Sequence, residues 1–131
     1  MDHTGDNYRD SSYVGLGKHF VGRPRHISRT IDFLLGQWRH RASIDPARIG
    51  MFGHSAGGFT ALVVAGAEPD LSRGAAFCRQ RPDAWPCRYL RRNGYTLERL
   101  ARQRTIVWKH DPRVKAIAIA APAVGYAFDR S

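Results

Sequence analysis

Arg48-Ile49-Gly50-Met51-Phe52-Gly53-His54-Ser55-Ala56-Gly57-Gly58-Phe59-Thr60-Ala61-Leu62-Val63-Val64-Ala65-Gly66 decides how the rest of the chain is read. Ile49 to Phe52 is a short run without polar alternation, the pattern of a strand buried on both faces, as in a parallel sheet. From Ala56 onward Phe59, Leu62, Val63 and Val64 follow a helical period, and Gly66 is a natural stop. A small hydroxyl, Ser55, thus stands among glycines where a strand turns into a helix.

A serine at such a junction is the arrangement of a nucleophile elbow. The turn holds the serine backbone in a strained conformation and pushes its hydroxyl outward. Gly53 and Gly57, two residues to either side, are expected to supply clearance, and Gly58 to let helix and strand pack closely. The helix N-terminus then aims N–H groups at charge developing on a substrate oxygen, with the Ala56 N–H as one oxyanion donor. The pattern G-x-S-x-G arises by chance in about one chain in 25 of this length, so the flanking strand and helix carry the reading. A phosphate-cradling loop is the rival, but no lysine follows the glycines.

Upstream, 2–22 reads as loop, and Pro24 is expected to open a helix. Ile27, Ile31, Leu34, Leu35 and Trp38 form its apolar stripe, with an end near His40 or Arg41. Downstream, Val114 to Ala120 is a second strand. Strand, helix, excursion and strand make a βαβ crossover, which implies a parallel pair within an α/β fold. The excursion, Glu68 to Asp111, includes a helix predicted from Leu97 to Gln103 behind a Thr96 cap.

The chain has 131 residues and a formal charge of +10, from 21 basic and 11 acidic residues. Nine arginines between Arg73 and Arg104 face only Asp83 and Glu98. Such a surface attracts anions, yet no helix-turn-helix, zinc-finger or aromatic RNA-binding pattern accompanies it, so nucleic acid is not expected as a partner. No apolar run is long enough to span a membrane. Cys78 and Cys87 suit a loop-closing disulfide, with two unlinked thiols as the equal alternative; they make a poor zinc site. The compartment stays open, cytoplasmic or exported, with an exported setting expected if the two cysteines are bridged.

Ser43 to Gly58 resembles the elbow region of the predicted dienelactone hydrolases, an α/β-hydrolase group related to platelet-activating-factor acetylhydrolases. Asp2-His3-Thr4-Gly5, Arg23-Pro24-Arg25-His26-Ile27, and Asp111 to Ala116 with Ala121-Pro122 are similar to further segments of that group. The resemblance covers nearly the whole chain, and its one chemically specific motif is the elbow. It implies a partial α/β-hydrolase fold, with parallel strands, flanking helices and a cap-like insertion over 68–111. It also implies a serine hydrolase acting on a small carboxylic ester or lactone, without metal or cofactor.

In that group the catalytic acid and histidine follow the nucleophile on later strands. The resemblance therefore implies a central fragment of a longer hydrolase, inactive and poorly soluble alone. Within the chain, His54 is expected to pack against neighbouring loops. His110 and Asp111 precede a strand and fall at the wrong sheet edge for catalysis. His3 falls at the correct edge as a structural or substrate-side residue, and Asp129 is the only internal candidate acid. The alternatives are a non-catalytic arginine-rich module for anionic partners, or a lipase- or cutinase-like hydrolase.

Overall fold

The computed structural model describes residues 1–13, 17–102 and 106–128. Two strands, β1 (Ile49–His54) and β2 (Val114–Ala120), pair in parallel, with Gly53 opposite Ile119 and His54 opposite Ala120. Among the described residues the fold is therefore mixed α/β, with one parallel pair joined through helices, as the crossover pattern requires.

Helix α1 (Gly17–Gly36) starts seven residues before Pro24, which lies inside it and is buried. This corrects the expectation that Pro24 opens the helix. Proline has no N–H to offer the carbonyl four residues back, but its ring fills a packed position. The buried face of α1 runs through Phe20, Pro24, Ser28 and Ile31, and only Ile31 of the predicted stripe is fully buried. The helix also ends earlier than expected. Gly36 breaks it, and Trp38 turns onto the His40 ring, with centroids 5.2 Å apart.

Helix α2 (Ala56–Val64) is apolar nearly all round and sits against both strands and α1. Phe59 is its central core residue. Its ring meets Phe20 at 4.9 Å, Phe128 at 5.3 Å and Trp108 at 5.8 Å between centroids. Only one face of the sheet is covered by α2 among the described residues. Phe52 is 72% exposed, so β1 is not buried on both faces as its composition predicted.

The excursion is far more regular than its prolines and arginines suggest. It contains α3 (Leu71–Gln80), α4 (Trp85–Arg92) and α5 (Leu97–Ala101). Asp70 caps α3 by accepting from the Ser72 and Arg73 N–H groups, and Thr96 caps α5 through the Arg99 N–H. Leu97 and Leu100 are fully buried against α3. Cys78 and Cys87 are joined in a disulfide that links the end of α3 to α4. The predicted helix end at Gln103, and Arg104, lie outside the described residues.

At the entry to β2, Asp111 is buried and accepts from Arg113 Nε at 2.9 Å and Nη2 at 2.7 Å. Arg113 Nη1 reaches Asp32 at 2.7 Å, tying α1 to the strand. The Asp111 N–H donates to the Val64 carbonyl at 2.9 Å, so the same residue holds the end of α2.

Candidate active site

Strand β1 runs straight into Ser55, and α2 begins at the next residue. Ser55 has φ 53° and ψ −118°, a left-handed setting that a side-chain-bearing residue occupies only under strain. Three backbone bonds hold it there. Its N–H donates to Ala120 O at 3.0 Å, and its carbonyl accepts from Ala123 at 2.8 Å and Phe59 at 3.2 Å. The elbow is thus fastened both to its own helix and to the exit of β2. Ser55 is half-buried, and its Oγ has no hydrogen-bond partner among the described residues.

The glycines divide the labour differently from the sequence expectation. A Cβ on Gly53 would lie 2.2 Å from the Gly57 carbonyl oxygen, so Gly53 is required by close backbone approach. A Cβ on Gly57 would meet nothing within 4 Å, and its clearance role is corrected. Gly58 faces Pro122, whose Cα would stand 3.0 Å from an added Cβ. Gly58 therefore admits the exit of β2, close to its predicted part in helix–strand packing.

Ala56 is the first residue of α2, so its N–H is one of the free donors of a helix N-terminus. It lines, with Ser55, a cavity of about 140 Å³. A larger groove of about 570 Å³ lies along α1 from Gly17 to Arg29, lined also by Tyr13, Ile106 and Val107, and does not include the serine. Volume alone does not choose between them; the strained hydroxyl does.

Two titratable side chains that sequence reasoning missed also line the serine cavity, Asp6 and His19. His19 is buried beside Asp6, with Nε2 3.0 Å from Oδ2, an ion-pair distance without hydrogen-bond alignment. Burial holds the imidazole below its ordinary range, although Asp6 pulls the other way. Asp6 is paired with Arg23, whose Nε donates to Thr60 Oγ1 at 3.1 Å. Thr60 in turn donates to the Ala56 carbonyl at 2.8 Å. A polar chain thus runs from the cavity wall to the first turn of α2. Its one sequence signal is the i, i+4 spacing of His19 and Arg23, readable only once α1 is known to start before Pro24.

The apolar wall comes from α4, through Trp85, Pro86, Tyr89 and Leu90, together with Phe20, Ala123 and Val124. His3 is buried and does not line the cavity; its Nδ1 lies 3.1 Å from His26 Nδ1, and burial and Arg23 push it down to about 4. It is a structural residue. His54 is exposed, which corrects the expectation that it packs against loops. The physical reason is its place on the uncovered side of β1, in alternation with Phe52. His110 and Asp111 lie before β2, at the opposite end from the Ala120 that pairs with His54. Asp129 lies outside the described residues. No group of His, Cys, Asp and Glu among the described residues could hold a metal ion, and no helix there is long and apolar enough to cross a membrane.

No family model, curated protein or solved structure matches the chain.

Proposed function

We propose that this chain carries the nucleophile elbow of an α/β-hydrolase, a serine hydrolase that cleaves a small carboxylic ester or lactone through an acyl-enzyme. The observation that carries the reading is the strained, positive-φ Ser55 at a strand–helix junction, its unbonded hydroxyl at a cavity. Ser55 Oγ attacks the acyl carbon, and the proton passes to a histidine. The oxyanion that forms meets the Ala56 N–H at the positive end of α2. The alkoxide leaving group, or the ring-opened end of a lactone, takes up a proton, and water then releases the acid and restores the serine.

No described histidine is hydrogen-bonded to Ser55 Oγ, so the base is assigned to a histidine from another segment, as the family resemblance implies. Residues 68–111 act as a cap over the site, a role supported by the α4 side chains in the cavity wall. Asp6 and His19 are substrate-side residues, and the Arg23–Thr60 chain keeps the first turn of α2 in place.

The competing reading is a non-catalytic module that meets anionic partners through its arginines. A fluorophosphonate probe and a heparin column separate the two. Covalent labelling that disappears in Ser55→Ala supports the hydrolase. Salt-sensitive heparin retention with no serine adduct supports the binding module instead.

A further inference from the structure

The cap carries a feature that the elbow chemistry does not use. Helix α4 contributes Trp85, Pro86, Tyr89 and Leu90 to the wall of the Ser55 cavity, more than any other element. Yet α4 is a short helix of eight residues with few inward side chains. Two inward side chains, Cys87 and Leu90, are buried, Arg88 and Arg92 are exposed, and Arg91 Nη2 donates to the Pro82 carbonyl at 2.8 Å. Cys87 is one of the two anchors, and it is covalently joined to Cys78 at the end of α3. Helix α3 is itself well fixed, by its Asp70 cap and its packing on α5. The bridge therefore couples the position of α4 to that of α3.

The outer part of that wall is aromatic. The Trp85 and Tyr89 rings stack 5.1 Å apart at an interplanar angle of 15°, and Trp85 is 63% exposed. A stacked pair at a cavity mouth offers a flat apolar face to a ligand, and ordinary surface helices keep such rings covered.

We propose that the Trp85–Tyr89 face is the wall that limits the size of the apolar ester group admitted beside Ser55, and that the Cys78–Cys87 bridge is its positioning element. The inference rests on Ser55 being the nucleophile. With the bridge intact, α4 stands close to the elbow and the wall restricts what reaches Ser55. Once both sulfurs are reduced to thiols, α4 loses its covalent tie to α3 and is held by Leu90 and the Arg91–Pro82 bond, so the wall recedes and larger groups enter.

The test uses the chain oxidised, reduced with a phosphine, and as the Cys78→Ser/Cys87→Ser double variant, with circular dichroism to confirm folding. Labelling rates of Ser55 are compared for diisopropyl fluorophosphate and for a fluorophosphonate bearing a long alkyl chain, in imidazole buffer. Hydrogen exchange is followed in 85–92. The proposal expects faster exchange in α4 after reduction and a severalfold rise in the ratio of bulky to small probe rates. Trp85→Ala should raise the same ratio with the bridge intact. An unchanged ratio with both probes reacting overturns the proposal. If neither probe reaches Ser55 in any state, the nucleophile reading fails, and exchange in α4 still decides the tether, with equal exchange counting against it.

Discussion

The N–H of Ser55 donates to the carbonyl of Ala120 at 3.0 Å, so the residue with the strained backbone is bonded to the last residue of the neighbouring strand. The sheet thereby holds a conformation that the turn would not keep alone. Strain of this kind costs about 1–3 kcal/mol and persists only where surrounding contacts fix it.

That strain makes Ser55→Gly a stabilising change. Glycine adopts φ 53° freely, and its extra unfolded-state entropy returns up to about 1 kcal/mol of the gain. The variant should melt higher than the parent while losing all fluorophosphonate reactivity. Thermal melts of the two proteins check this, and a lower melting temperature for the glycine variant would show that the turn is not strained.

Gly53 and Gly57 should respond oppositely to a methyl group. Gly53→Ala places a carbon 2.2 Å from the Gly57 carbonyl, and the elbow must open to admit it. Its cost should be about 3 kcal/mol or more, as for severe overpacking. Gly57→Ala meets open space at the start of α2 and should lie within about 1 kcal/mol of the parent, on the stabilising side. Urea unfolding of both variants decides it; equal losses would remove the special role of Gly53.

Asp111 sets a lower pH limit for stability. Arg113 holds its carboxyl well below the usual carboxylate range, so the folded state binds that proton more weakly than the unfolded chain. The stabilisation is complete above the unfolded value of about 3.9 and is lost as acid approaches the folded one. Asp111→Asn should cost about 2–3 kcal/mol at pH 7, the range for buried bonds to a charged partner, and flatten the stability profile below about pH 4. Urea midpoints across pH 2–7 measure this.

His3 acts in a separate window. Its folded value is lowered to about 4 from 6.5, chiefly by burial, so the neutral ring is the one the fold accepts. Stability is intact above about pH 6.5 and declines as pH falls toward 4, by up to about 3 kcal/mol. His3→Gln should remove most of that decline while leaving the Asp111 step below pH 4. A variant whose profile keeps the full loss between pH 6.5 and 4 would assign it to other histidines.

The strand–Ser55–helix turn and the parallel strand pair were legible because their elements depend on local pattern. The apolar run before Gly53 and the helical period after Ala56 both follow from chemistry within ten residues. The strand pairing followed from the order of elements. What sequence reasoning missed depends on long-range placement. His19 meets Asp6 across a helix start that Pro24 disguised, because proline marks a first turn more often than an interior one. Phe52 reads as core by composition, yet the sheet face it occupies is open. The excursion looked irregular because its prolines sit at helix entries and turns; Pro86 lies in the first turn of α4, where its missing N–H costs no bond. The Cys78–Cys87 link was one of two equal readings, since spacing alone cannot say whether the Cα atoms come within bridging distance; they lie 5.5 Å apart.

The most direct test of the central claim is site-mapped mass spectrometry after fluorophosphonate treatment, with and without free imidazole as an external base. The account predicts one adduct, on Ser55, formed faster as imidazole is added and missing from Ser55→Ala. A folded chain with no Ser55 adduct at any imidazole concentration, or an adduct that persists in Ser55→Ala, would contradict it.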